Sequence, residues 1–175
     1  FFPQCMWQVA THEKNIYLTF DDGPTPNITE KTLKILEKYE AKATFFMLGK
    51  QVAAHPTIAQ EVLSAGHRIG NHSFSHLNGW KTPNNAYFED IAQAQKIIED
   101  TLHFSPTLFR PPYGKITTKQ MAYLGEKYQI VMMDILCGDF DTKQSPEICS
   151  QIIQKHLQKG SIIVYHDSEK AAENM

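Results

Sequence analysis

Residues 16–26 read IYLTFDDGPTP. The first five are rich in β-branched and aromatic side chains and predict a buried strand over 16–20. Two adjacent carboxylates, Asp21 and Asp22, follow it, and Gly23-Pro24 then breaks the chain. Thr25 can cap a helix and Pro26 suits a first helical position, so a helix is expected from Thr25, with Leu33, Leu36 and Glu37 continuing its period. Strand, polar turn and helix in that order form the unit from which parallel sheets are wound.

The alternation continues outward from this stretch. Further strands are expected over 43–49, 67–73, 107–114, 130–135 and 161–167. Helices are expected over 55–66, 84–101 and 117–128, and a last one runs from the Ser145-Pro146 start to Lys159. No linker interrupts the pattern, so one domain over 1–175 is expected, its parallel strands closed as a barrel or open as a sheet. The opening FFPQCMW (1–7) reads as a strand that closes the fold, with the end of an anchor as the alternative.

Composition narrows the partners. The 175 residues are 42% hydrophobic, enough for a full core. With 17 Lys and Arg against 19 Asp and Glu, the net charge of −2 argues against electrostatic nucleic-acid binding. No apolar run has the length of a membrane span, and no signal peptide is visible. Cys5, Cys137 and Cys149 contain no C-x-x-C pair, so neither a disulfide framework nor a four-cysteine zinc site is expected.

The polar residues share a location. Asp21/Asp22, His72/His76, Arg110, Asp139 and His166 all fall at or just after the C-terminal end of an expected strand, the rim where α/β folds bind ligands. His72 and His76, in NHSFSH (71–76), could share a metal ion if that stretch makes a helical turn. Alone, the pair reads more readily as two solvated loop histidines. An open catalytic site needs a further carboxylate, which Asp21 or Asp22 can supply, leaving the other to accept a proton. Alone, Asp-Asp-Gly reads as a turn before a helix. Arg110 could hold a carboxylate in two hydrogen bonds or sit on the surface before a polyproline-like turn. His166 suits a titrating acid, and equally a histidine capping a strand. His12, His55, His67, His103 and His156 read as surface or core residues.

TFDDGP, HSFSH, RPPYG, the GDFD region and VYHD occur in the order and approximate spacing of the polysaccharide deacetylases, carbohydrate esterase family 4, defined by the NodB homology domain. The resemblance covers about Ile16 to Asp167. It implies an α/β fold, a distorted (β/α) barrel of about seven parallel strands, and removal of acetyl groups from N-acetylglucosamine-containing glycans of peptidoglycan or chitin type. It implies one divalent metal ion, zinc first, with Co2+, Ni2+ or Mn2+ as alternatives. By position Asp22, His72 and His76 would hold the metal. Asp21 would be the base, Arg110 would orient it, and the Tyr113 N–H would help bind the oxyanion. Asp139 would tune His166, the acid. Phe140 and Pro112 would contact sugar; the loop HLNGWKTPNN (76–85) reads by itself as a groove wall, with Trp80 either stacking on sugar or packing in the core or loop.

Relatives often carry Asp-Trp where Asp139-Phe140 stands, an aromatic at Met133 and Leu at Val164. They usually continue past the last strand, so a barrel truncated or open at its C-terminal end is expected. A monomer is expected, and the resemblance favours the cell envelope or the exterior. Two other readings stand beside the N-deacetylase: a hydrolase of O-acetyl esters or non-sugar amides on the same site, and a glycan-binding module that kept the barrel without the chemistry.

Overall fold

The computed structural model describes residues 2–174. The strands are β1 (Tyr17–Asp21), β2 (Ala43–Met47), β3 (Arg68–Asn71), β4 (Leu108–Phe109), β5 (Gln129–Ile130), β6 (Ile135–Leu136) and β7 (Ile162–His166). The helices are α1 (Ile28–Lys38), α2 (Gly49–Ala54), α3 (Pro56–Ser64), α4 (Asn84–Leu102), α5 (Thr118–Leu124) and α6 (Pro146–His156). The strands form one parallel sheet in the order β5-β4-β3-β2-β1-β7-β6. It is an open barrel of the expected class, and its edge strands are β5 and β6, not the C-terminal strand, which lies inside the sheet. Among the described residues, no helix is long and apolar enough to cross a membrane.

The composition of these segments explains why they become inner strands. A parallel sheet covered on both faces buries nearly every side chain, so its strands read as apolar runs. Phe45, Phe46, Met47, Ile162, Ile163 and Val164 are all buried. One core packs Phe20, Leu36, Phe45, Val52, Val62, Ile69 and Ile98 between the sheet and α1, α2, α3 and α4. A second packs Tyr87, Ile91, Phe109, Met121 and Ile130 beneath α4 and α5.

Register matters most for function. Asp21 pairs with Phe46 on one side and His166 on the other, Met47 with Asn71, and Asn71 with Phe109. The C-terminal ends of five strands are thereby level, and the residues just beyond each strand are delivered to one rim.

Four expectations are corrected. The apolar run 130–135 is not one strand: Gln129–Ile130 pairs with β4 and Ile135–Leu136 with β7, so residues 131–134 cross between the sheet's two edges. Of the segment 1–7, Phe1 lies outside the described residues, and residues 2–7 close that gap with a single bridge at Met6 rather than a strand. Met6 N–H donates to Ile130 O at 2.9 Å, Met132 N–H to Met6 O at 2.8 Å, and Val9 N–H to Gly160 O at 2.9 Å. Helix α1 begins at Ile28, not Thr25, because Asn27 adopts φ 67° and takes the cap, the Glu30 carboxylate accepting its N–H at 2.6 Å. Gly49 does not merely stop β2; it opens α2, which the sequence reading omitted.

Gly160 has φ 82°, and a Cβ there would lie 2.0 Å from Val9 O, inside the gap-closing contact. Gly66 has φ 78°, but a Cβ would meet only the end of Lys42, at 3.5 Å. Gly66→Ala is expected to lose about 1 kcal/mol of unfolding free energy, the cost of a left-handed side chain, and Gly160→Ala at least about twice that. Urea denaturation of each variant measures the difference; equal losses would remove the gap-closing role of residues 5–9.

Candidate active site

The rim is organised around Arg110, which follows β4 and is fully buried. Its Nη1 donates to Asp21 Oδ1 and to Thr19 Oγ1, each at 2.7 Å, and its Nη2 to Met132 O at 3.0 Å. The guanidinium lies over the Phe46 ring, 4.1 Å from its centroid. Burial alone would push the Asp21 pKa up, but the Arg110 charge, with smaller help from His72 and His166, brings it below the ordinary value. One Asp21 oxygen is thus committed to arginine, while Oδ2 faces His72 Nε2 at 3.9 Å.

His72 follows β3, and its Nδ1 lies 2.8 Å from Arg110 O. A carbonyl can only accept, so Nδ1 carries the hydrogen and Nε2 keeps its lone pair. The stretch to His76 is a loop rather than the helical turn the spacing suggested, with Ser73 at φ 70° and His76 at φ 63°. Asp90, on α4, holds the loop: its carboxylate accepts the N–H groups of Phe74 and Ser75, at 2.9 and 3.2 Å, and the Ser75 hydroxyl. Asn71 Oδ1 accepts the Ser73 N–H at 2.8 Å. The sequence reading missed Asp90, and only its place on the buried face of α4 hinted at it.

Asp22 completes a triad. Its Oδ1 lies 3.6 Å from His72 Nε2 and 3.3 Å from His76 Nε2, and the three ligand atoms lie within 4.8 Å of one another. Those two separations suit the edges of a tetrahedron with arms of about 2.1 Å. Asp22 Oδ1 is also buried with no hydrogen-bond partner, a costly state that a cation removes. Burial lowers the His76 pKa to about 4 and lowers that of His72, so both imidazoles stay neutral as ligands must. The residues fit a divalent ion.

A second omission, Asp167, sits directly behind. Its Oδ1 accepts the Gly23 N–H at 3.0 Å, its Oδ2 the Thr29 hydroxyl at 2.6 Å, and its own N–H donates to Asp21 O at 3.1 Å. It holds Asp22 at φ 81°, a region non-glycine residues rarely adopt. A Cβ on Gly23 would fall 2.0 Å from the Asp167 carboxylate, so the Gly of Asp-Asp-Gly is needed for close approach as well as for the turn.

On the opposite side, Asp139 is buried, and its Oδ1 lies 2.9 Å from His166 Nδ1 while its Oδ2 accepts the His166 N–H at 2.6 Å. Burial pulls the His166 pKa down, but the hydrogen bond its Nδ1–H donates to Asp139 and the nearby carboxylates carry it above its ordinary value. Asn174 Nδ2 donates to the carbonyls of Asp139 and Asp141, at 3.1 and 3.2 Å, anchoring that loop.

A cavity of about 450 Å³ joins these groups; Asp21, Asp22, His72, His76, Tyr113 and His166 line it. Met133 and Phe140 add apolar wall, the Phe140 ring standing edge-on to His166 with centroids 5.1 Å apart. Tyr113 has φ 61°, and its ring packs on His76 at 4.4 Å. Two expected sugar contacts are placed elsewhere. Pro112 is buried, and Pro111 takes the wall position. Trp80 is exposed but off the cavity wall, its Nε1 donating to Ile116 O at 3.0 Å beneath Lys115.

Asp90→Ala is expected to weaken zinc binding about 10–100-fold, read by competition with a chromogenic chelator, because it frees the loop that carries His76. Undiminished affinity would show that the loop holds itself. Since both histidine pKa values are lowered, zinc affinity is expected to change less than about threefold from about pH 7 to about pH 5.5; two ordinary imidazoles would lose tens of fold. A steep loss beginning near pH 6.5 would contradict neutral, buried ligands.

The family model for polysaccharide deacetylases matches residues 8–132. A peptidoglycan-N-acetylglucosamine deacetylase of Bacillus cereus is 36% identical over 92% of this chain and 76% of its own length. A solved peptidoglycan N-acetylglucosamine deacetylase, in complex with a naphthyl N-hydroxybenzamide, superposes with TM-score 0.90 at 27% identity, covering 98% of this chain and 82% of that one. The peptidoglycan deacetylase PdaC of Bacillus subtilis superposes with TM-score 0.86 at 32% identity, covering 95% and 81%. The chain spans between 34% and 76% of the full lengths of the first three curated deacetylases it matches. With seven parallel strands in an open barrel and the family's motifs converging on one rim, the chain belongs to the polysaccharide deacetylase family.

Proposed function

We propose that this chain is a metal-dependent hydrolase that removes acetyl groups from N-acetylglucosamine-containing glycans. The carrying observation is the division of labour across one cavity. Asp21 keeps one oxygen on Arg110 and turns the other toward the open Asp22/His72/His76 cluster, while His166, held by Asp139, faces the same space. The curated relatives named as peptidoglycan deacetylases support the substrate class.

Asp22, His72 and His76 would hold a divalent ion, zinc first, with Co2+, Ni2+ or Mn2+ as alternatives. Bound there, the ion supplies Lewis-acid activation of the acetyl carbonyl and of water. Asp21 Oδ2 accepts the proton of the attacking water, its carboxyl kept ionised by Arg110. The Tyr113 N–H, on a residue at φ 61°, donates to the developing oxyanion. An amine leaves only when protonated, so the His166 Nε2–H delivers its proton to the amide nitrogen. Asp139 holds the ring by Nδ1 and favours its charged form. An O-acetyl ester needs this last step less, because an alkoxide leaves more readily than an amine anion.

Acetate release from N-acetylglucosamine oligomers by zinc-loaded protein, stopped by chelator, is the expected result. Asp21→Asn should retain zinc and lose at least about 100-fold in turnover. It should also unfold at lower denaturant, because Arg110 loses its buried counter-charge. Near-normal turnover would refute the base. The alkaline limb of the pH–rate profile should lie above 6.5, since the acid must be protonated and its pKa is raised. Asp139→Asn should move that limb to lower pH; an unmoved limb would assign the acid to another group.

A further inference from the structure

Residues 5–9 close the gap in the sheet, and their contacts reach further than the gap. Met132 N–H donates to Met6 O at 2.8 Å. The carbonyl of that same peptide unit, Val131 O, accepts the Arg110 Nε–H at 3.4 Å, and the next carbonyl, Met132 O, accepts Nη2–H at 3.0 Å. Arg110 Nη1 then donates to Asp21 Oδ1 at 2.7 Å. Three successive hydrogen bonds thus run from Met6, through one peptide unit and one guanidinium, to the carboxylate. In a buried chain of this kind each bond polarises the next. Among the described residues, the Met132 backbone bonds only to Met6 and to Arg110.

A second route runs through side chains. Met6 and Val9 pack on the buried cluster of Phe46, Val131 and Ile162. The Phe46 ring carries the Arg110 guanidinium on its face. There is no slack behind that ring, since a Cβ on Gly70 would lie 2.5 Å from it. A displacement of Met6 is therefore passed on to Phe46 rather than absorbed. The Arg110 backbone is held separately, its N–H donating to Asn71 O at 3.0 Å, so the carbonyl that faces His72 does not depend on Met6.

We infer that Met6 is a positioning residue for the proton acceptor: by fixing the Val131–Met132 peptide and the Phe46 ring, it sets where Arg110 holds the Asp21 carboxylate. The inference rests on the deacetylase reading and adds to it a residue outside the cavity wall. It also gives the first segment of the fold a part in the chemistry, separate from that of the metal-binding cluster.

The test uses three variants of the full chain. Met6→Gly removes the side chain and loosens the backbone, and Met6→Pro removes the N–H that Ile130 O accepts. Met6→Leu keeps both the bonds and the apolar contact. With zinc-loaded protein and N-acetylglucosamine oligomers, Met6→Gly and Met6→Pro are each expected to lower kcat about tenfold, because a slightly misplaced reacting group is slow. KM and zinc affinity should stay within about twofold, and Met6→Leu should restore kcat. In an Asp21→Asn background, Met6→Gly should cost less than about twofold, since the carboxylate it positions is gone. Unchanged kcat in both disruptive variants, a loss just as large in the Asp21→Asn background, or a parallel fall in zinc affinity overturns the inference. Should the unaltered chain release no acetate, the deacetylase reading fails by itself. Solvent exchange of the Arg110 Nε–H, followed by NMR, then decides the positioning role. It is expected to be at least about tenfold faster in Met6→Gly, while the N–H groups of β1 and β2 keep their protection. Equal exchange in variant and parent, or an acceleration shared by β1 and β2, overturns it.

Discussion

A single buried guanidinium organises this molecule. Arg110 reaches Asp21 and Thr19 on β1, lies over Phe46 on β2, and donates to the carbonyls of Val131 and Met132 in the segment that crosses between the sheet's edges. A fully buried arginine is tolerable only when its charge and its donors are met, and here both are. The carboxylate at the strand end and the irregular crossing are therefore solved together. The crossing's carbonyls would be orphaned without the arginine, and the arginine would be an uncompensated charge without Asp21. Its own backbone carbonyl sets the tautomer of His72. One residue thus orients both the Asp21 carboxylate and the His72 imidazole.

The sheet was legible in the sequence because parallel strands buried on both faces leave continuous apolar runs, as in IYLTF and ATFFM. Pairing was not. The run 130–135 has the composition of one strand, and nothing in its residues says that its two halves belong to opposite edges of the sheet. Gly49 misled for a related reason: glycine ends a strand and also admits a close helix, and a Cβ there would lie 2.7 Å from Ala94 Cα on α4. Thr25-Pro26 is a sound helix start by composition, yet it makes only a turn, with Thr29 N–H bonded to Thr25 O at 2.9 Å.

The site separated along the same line. Residues that carry charge at strand ends could be found by chain order, because parallel register brings strand ends level. The residues that hold them in place could not. Asp90 acts from a helix, and Asp167 is masked by its neighbour His166, so neither has a local signature of its role. His72 and His76 do come together, but not through the helical turn their spacing suggests. Two left-handed non-glycine residues bring the rings together, and the carboxylate of Asp90, the amide of Asn71 and the Ser73 hydroxyl, which accepts the His76 N–H at 3.0 Å, hold that backbone. Pro111 and Pro112 show the finest limit, since one step along the chain decides which of two identical rings meets the cavity.

The strand order also ties the two halves of the site to the order in which the chain is made. Strand β1 has β2 close behind it, but its other neighbour is β7, and the Thr19 hydroxyl reaches Ile163 across 144 residues. Asp21, Asp22, His72, His76 and Arg110 all leave a ribosome before β6 and β7 exist. A nascent chain of that length already holds every group of the cation triad, while one long edge of β1 has nothing to pair with. Such an edge is open to strands of other chains until the last segment docks. Topology thus makes the half that carries Asp139 and His166 both the last to be synthesised and the one that seals the sheet, through contacts of the separation that slows folding most.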